Sequence, residues 1–98
     1  MIIEMKKFGS VLNSRPAGHE ALLAISPHLT EKKDGEELAI DFKGVDVLTP
    51  SFADEFITPL VMEHNKNELR LTNTQKNITV RKTLAFLAEE WDKKVVME

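Results

Sequence analysis

Residues 40–56 read IDFKGVDVLTPSFADEF, and they predict a strand, a turn and the start of a helix in quick succession. Leu38, Ile40 and Phe42 fall on one face of an extended segment, which predicts a strand over residues 37–42. A turn at Lys43-Gly44 and a short apolar segment over 45–48 then lead to a helix that begins near Ser51. That helix has a predicted core stripe at helical spacing: Phe52, Phe56, Ile57, Leu60 and Val61. Pro59 is expected to kink or shorten the helix.

The flanking segments alternate between strand and helix patterns. Residues 2–8 predict a first strand and 9–14 a connection. Ser14 is a predicted N-cap, and Pro16 suits the first turn of the helix that follows. Further on, residues 68–72 predict a strand, 78–91 a helix, and the tail 93–98 either a short strand or a frayed end. Trp91 and the phenylalanines are predicted core residues.

Strands that alternate with helices require crossover connections and therefore a largely parallel sheet. We expect an α/β sandwich with a parallel or mixed sheet of about four strands and three main helices. Ninety-eight residues suffice for one such core, so residues 1–98 are predicted to be a single domain.

Composition narrows the function classes. Sixteen acidic and 13 basic residues give a net charge of −3, which argues against a nucleic-acid partner. The chain has no cysteine, and its three histidines are scattered, so we expect neither a metal site nor a bound cofactor. No segment resembles a secretion signal or a membrane span, and a cytoplasmic location is the default.

The Ser51 hydroxyl has two interpretations at the start of a helix. It can be an N-cap, with Asp54 completing an arrangement like a capping box. It can also be a phosphoacceptor, because the N–H groups and dipole of a helix start favour negative charge. The two interpretations share one position and differ in chemistry.

Two adjacent carboxylates, Asp54 and Glu55, follow Ser51. Neighbouring side chains on a helix project about 100° apart, so we do not expect these two to converge as an acid–base pair. Their simplest role is favourable charge near a helix N-terminus. Alternatively, Arg15 pairs with one of them and ties the start of the first helix to the second.

Two segments carry a resemblance to a known family. Residues 40–45 resemble the central strand and turn of STAS domains, and Thr49-Pro50-Ser51-Phe52 stands in the place of the family's Asp-Ser-Ser-Gly. Leu69-Arg70-Leu71 and residues 77–84 are similar to the strand and final helix of the same family. The resemblance covers about residues 36–90 and is greatest to the short STAS-like domains of bacteria, whose function is uncharacterised.

The resemblance implies a non-enzymatic, protein-binding regulatory module of the anti-sigma-factor antagonist type. Ser51 falls on the serine that is phosphorylated in the antagonists. The implied partner is a protein, an ATPase of the histidine-kinase fold that is also the serine kinase, which binds the unmodified module and releases the phosphorylated one. The expected contact surface comprises Ser14, Arg15, Thr49, Pro50, Phe52, Asp54 and Glu55.

Two other function classes stay open. One is a constitutive interaction or homodimerisation module in which Ser51 is only a helix cap and the tail around Val95–Met97 pairs across a sheet edge. The other is a small nucleotide-binding or hydrolytic protein that uses Ser51, Asp54 and Glu55.

Overall fold

A computed structural model describes residues 1–64, 68–92 and 95–98. Three α-helices alternate with short strands, and a 3-10 helix over Met5–Phe8 follows the first strand. The helices are α1 (Arg15–Leu29), α2 (Pro50–Glu63) and α3 (Ile78–Glu90). The strands are β1 (Ile2–Glu4), β2 (Val11–Leu12), β3 (Leu38–Asp41), β4 (Val47–Leu48), β5 (Leu69–Thr72) and β6 (Val96–Met97).

The strands form two parallel sheets. The main sheet has the order β1-β3-β5-β6, and β2 pairs with β4 in a second, two-stranded sheet. The order of the main sheet follows the order of the chain without reversal, so its described strands form no topological switch point of the kind where α/β folds bind ligands. The predicted α/β class, with three helices and a mostly parallel sheet, is confirmed.

The core lies between the main sheet and the helices. Ile40 and Leu71 stand side by side in the register of β3 and β5, and both are fully buried. The predicted stripe of α2 and the stripe of the last helix, which includes Trp91, are also buried. Phe86 is the exception, because its side chain is 62% exposed on α3, so its predicted place in the core is wrong.

The N-terminal segment differs from its prediction. The strand expected over residues 2–8 ends at Glu4, and the chain tightens into the 3-10 helix, which turns Met5 into the core. Gly9, at φ 123°, ends that turn, and the predicted connection over 9–14 contains β2. Two-residue strands such as β2 and β4 are too short to show alternation, so the sequence pattern does not predict the second sheet.

Pro59 does not end α2, and the C-terminal tail contains a strand. Pro27 and Pro59 lie inside α1 and α2, and α2 continues to Glu63 beyond its proline. Of the two alternatives predicted for the tail, the short strand is present as β6. Lys93 and Lys94 lie outside the described residues.

Candidate functional site

The N-cap of α2 is Thr49. Its backbone is extended, at φ −94° and ψ 154°, and its hydroxyl accepts a hydrogen bond from Phe52 N at 3.4 Å. Pro50 takes the first helical position, where its fixed φ suits the helix and its missing N–H is not needed. The prediction that Ser51 is the cap is therefore wrong: the extended chain that leaves β4 continues through Thr49, and Ser51 is already helical.

Ser51 is half-buried in the first turn of α2. In the described part of the chain, no residue forms a hydrogen bond with its hydroxyl. Asp54 does not complete a capping box, because its carboxylate accepts from Arg15 and from Thr58 Oγ1 at 2.8 Å. Among the described residues, the hydroxyl of Ser51 thus has no structural role.

Arg15, from the start of α1, joins both carboxylates of α2. Its Nη1 lies 2.9 Å from Asp54 Oδ2 and 3.2 Å from Glu55 Oε2. The predicted ion pair is confirmed, and it involves two carboxylates where one was expected. One long guanidinium side chain thus reaches both carboxylates. That Asp54 and Glu55 do not converge as an acid–base pair stays a prediction. His19 Nδ1 lies 3.6 Å from the other oxygen of Glu55.

These contacts shift two pKa values in opposite directions. The hydrogen bond from Arg15, followed by that from Thr58, holds the pKa of the Asp54 carboxyl below its usual range. The hydrogen bonds to Asp54 and Glu55 raise the pKa of the Arg15 guanidinium. Both groups are therefore ionised at neutral pH, and the pair is a charged clamp between the two helix starts.

Ser14 and Gly18 set the approach of α1 to α2. Ser14 caps α1 as predicted, its Oγ accepting from Ala17 N at 3.3 Å, and its backbone has a positive φ of 78° that is uncommon for a side-chain-bearing residue. One turn on, a Cβ added to Gly18 would lie 2.7 Å from the carbonyl oxygen of Phe52. The bare glycine is what lets α1 lie against the first turn of α2.

Phe52 faces inward from that turn. Its side chain is 2% exposed, and its ring stacks on Phe56 with a centroid separation of 6.1 Å. Phe52 therefore packs in the core, as its place in the predicted stripe of α2 requires, and its predicted contact with a partner stays a prediction. Thr49 and Asp54 are half-buried, and Ser14, Arg15 and Pro50 are exposed.

The strand that leads to Thr49 is fixed by α3. Thr79 Oγ1 accepts a hydrogen bond from Leu48 N at 3.2 Å, and Thr83 Oγ1 donates to Leu48 O at 2.7 Å. Asn77 caps α3 and donates to Asp46 O through Nδ2. None of these polar residues was predicted to support the site, although two threonines four apart on an otherwise apolar helix face are a usable signal for inward-pointing hydroxyls.

The comparisons with known proteins identify the family. The family model of a STAS-like domain of unknown function (DUF4325) matches residues 25–79, which is more than half of the chain. The chain belongs to this family. The match includes the last third of α1, all of α2 with Ser51, and the chain as far as Thr79. No curated protein and no solved structure matches.

This STAS-like domain has a second polar centre at the carboxyl end of β3. Asp41 accepts hydrogen bonds from Thr72, Asn73 and the backbone N of Lys43. Burial alone would raise the pKa of Asp41, but these donors, led by Asn73, outweigh it and lower the pKa. A cleft of about 520 Å³ opens beside it, lined by Glu4, Lys6, Lys7, Asp41, Lys43 and Gly44. The residues predicted as the site do not line this cleft.

The described residues also bear on metal binding and on membrane insertion. Within residues 1–64, 68–92 and 95–98, no three carboxylate or histidine side chains are grouped as metal ligands. Among the same residues, no helix combines the length and the apolar character that crossing a bilayer requires.

Proposed function

We propose that this STAS-like domain is a non-enzymatic, protein-binding regulatory module, and that phosphorylation of Ser51 switches it between partners. The observation that carries the proposal is the uncommitted hydroxyl. Ser51 is partly accessible in the first turn of α2, and Thr49, not Ser51, caps that helix. A modification of Ser51 would therefore leave the helix cap in place.

The chemistry of the first turn explains how a phosphate would act there. A phosphoserine adds about −1.5 to −2 charges and three acceptor oxygens. The start of α2 stabilises that charge, whereas Asp54, three residues on along the same face, repels it. Arg15 is the cation that already bridges Asp54 and Glu55. A phosphate would compete for its guanidinium and loosen the clamp between α1 and α2.

The partner in this proposal is an ATPase of the histidine-kinase fold that also phosphorylates Ser51, in the bacterial cytoplasm. The resemblance to the antagonists supports that choice. The unmodified module binds through its exposed residues Ser14, Arg15 and Pro50 together with Asp54 and Glu55. The modified one is released, because the new charge at the interface is repelled and costly to desolvate.

The test compares Ser51→Asp with Ser51→Ala. Affinity capture from native cells first identifies partners of the wild-type protein, and calorimetry with the purified partner then measures each variant. We expect Ser51→Ala to bind like wild type and Ser51→Asp to bind about tenfold or more weakly. Gln75→Glu, which adds the same charge at an exposed position before α3, is the matched control. Equal affinities of the two Ser51 variants would contradict the switch.

One observation favours a second candidate, a homodimer formed through the sheet edge. β6 ends the order of the main sheet, and its outer side faces no other described strand. Light scattering distinguishes a dimer from a monomer. The hydrolytic alternative has less support, because the lowered pKa of Asp54 moves it away from the neutral range that suits a general acid or base.

A further inference from the structure

The two edges of the two-stranded β2–β4 sheet differ in their hydrogen bonding. On the inner side of β2, Ser10 O accepts from Val47 N at 3.1 Å and Leu12 O accepts from Thr49 N at 3.0 Å. Alternate residues of a strand direct their backbone groups to opposite sides, so the N–H and C=O of Val11 point away from β4. Val11 is therefore the outward-facing residue of an edge strand.

The corresponding edge of β4 is closed by side chains. The N–H and C=O of Leu48 are both satisfied, by Thr79 and Thr83 of α3. For Val11, no hydrogen bond from a described residue outside the ladder is present. The fold thus closes one edge of this sheet and leaves the other open.

An apolar groove lies beside the open edge. It has a volume of about 240 Å³, and Phe8 and Val11 form one wall. Three alanines at helical spacing on α1 form the opposite wall: Ala17, Ala21 and Ala24. Val11 is 52% exposed, and these small side chains leave room that a larger residue would fill. The acidic side chain of Glu20 is exposed and also lines the groove.

We propose that this groove and the open edge of β2 bind an extended segment of a protein partner as an added strand. The segment pairs its backbone with the N–H and C=O of Val11, inserts an apolar side chain between Val11 and the three alanines, and places a basic residue near Glu20. Main-chain pairing supplies affinity and the groove supplies selectivity, as in other cases of strand addition. The groove has room for one or two side chains and is too small to seat a helix.

This inference rests on the proposed protein-binding function and names the form of the partner. β2 leads through Asn13 directly into Ser14 and Arg15, so the groove and the Ser51 surface are contiguous along the chain. A partner strand on β2 would end beside the clamp that Arg15 makes with α2. Binding at the groove does not itself require a phosphate.

The experiment selects nine-residue peptides from a displayed random library on the purified wild-type domain. The recovered peptide is then titrated against variants by calorimetry. Val11→Pro removes the outward N–H, and proline is tolerated on strand edges; Val11→Thr keeps the N–H and the shape. Ala24→Arg fills the groove while keeping helix propensity, and Ala85→Arg makes the same change at an exposed position on α3.

We expect Val11→Pro and Ala24→Arg each to weaken binding about tenfold or more, with Val11→Thr and Ala85→Arg close to wild type. A folded Val11→Pro variant that binds as wild type overturns strand addition. So does a selection that yields no peptide sensitive to Ala24→Arg. A wild-type dimer that Val11→Pro dissociates would show that a second copy occupies the edge, which also overturns the proposal. Binding of the selected peptide and of the partner is also measured for Ser51→Asp. If this variant binds both as the wild type does, the phosphorylation switch is contradicted and strand addition is not.

Discussion

At the start of α2, Thr49 is the helix cap and Ser51 is the candidate modification site, so these two roles fall on separate residues. Thr49 satisfies the first turn of α2 through its hydroxyl, and its own N–H bonds to Leu12 O, so it joins the helix start to β2. Ser51 makes no comparable contact with a described residue. A chemical change at Ser51 and a structural change at Thr49 should therefore have separate consequences.

Alanine substitutions separate the two hydroxyls. Thr49→Ala should lower the free energy of unfolding by about 1 kcal/mol, because the cap is lost. Ser51→Ala should change it by less than about 0.5 kcal/mol, since no bond is broken and alanine favours the helix. Urea denaturation measures both. A larger loss in Ser51→Ala than in Thr49→Ala would contradict the assignment of the cap.

The sequence contained a signal for the correct cap. Proline is favoured at the first helical position, so Pro50 indicates that the residue before it, Thr49, is the cap. The spacing of Ser51 and Asp54 resembles a capping box and points to the wrong hydroxyl. Which of two nearby hydroxyls acts depends on where the chain leaves the extended conformation, and β4 determines that only in the folded protein.

At the scale of elements, the site depends on the close contact between α1 and α2. Gly18 lies against the backbone of Phe52, and Arg15 reaches Asp54 and Glu55 one turn earlier. Backbone proximity and the ion pairs thus act over the same short stretch. Changes at this contact should reach the surface around Ser51.

Gly18→Ala tests the close contact. Alanine is the better helix former by about 1 kcal/mol, yet its Cβ would lie 2.7 Å from Phe52 O and 3.0 Å from Glu55 Cβ. We expect a net destabilisation of about 1–3 kcal/mol, because two backbones must separate. Glu20→Ala, at an exposed position of the same helix, is the control and should be near neutral. A Gly18→Ala protein as stable as wild type would show that the helices separate at little cost.

The long helices were predictable, and the second, two-stranded sheet was not. The apolar stripes of α2 and α3 extend over several turns, and both helices are where the periodicity places them. β2 and β4 have two residues each, and only pairing with one another makes them strands. The same limit applies to the groove beside β2, because its walls come from separate elements that no local pattern connects.

At the scale of the whole molecule, Asp41 ties the central strands together. It lies at the end of β3 and accepts from Thr72 and Asn73 at the end of β5, and from the turn at Lys43. Asp54 makes the equivalent connection between α1 and α2. One ionised carboxylate therefore connects two strands of the main sheet, and another connects two helices.

These two carboxylates predict sensitivity to acid. Both pKa values are lower in the folded protein than the value of about 3.9 expected for the unfolded chain. Their contribution to stability is present above about pH 4 and is lost as the pH falls through the folded values. In Asp41→Asn, the free energy of unfolding, measured by chemical denaturation, should decrease less steeply between about pH 5 and pH 3. Asp34→Asn, in an exposed loop, is the control, and an unchanged slope in Asp41→Asn would contradict the role of Asp41.

The wholly parallel pairing also has a consequence for how the chain folds. Ile2 must meet Ala39, and Leu38 must meet Leu69, so every strand pair of the main sheet closes a long loop before it gains a hydrogen bond. Among the described strands, no hairpin is available as a local nucleus. Refolding should consequently be slow for a protein of this size, with the helices formed before the sheet. On the ribosome, β1 would wait for β3 to emerge before it could pair.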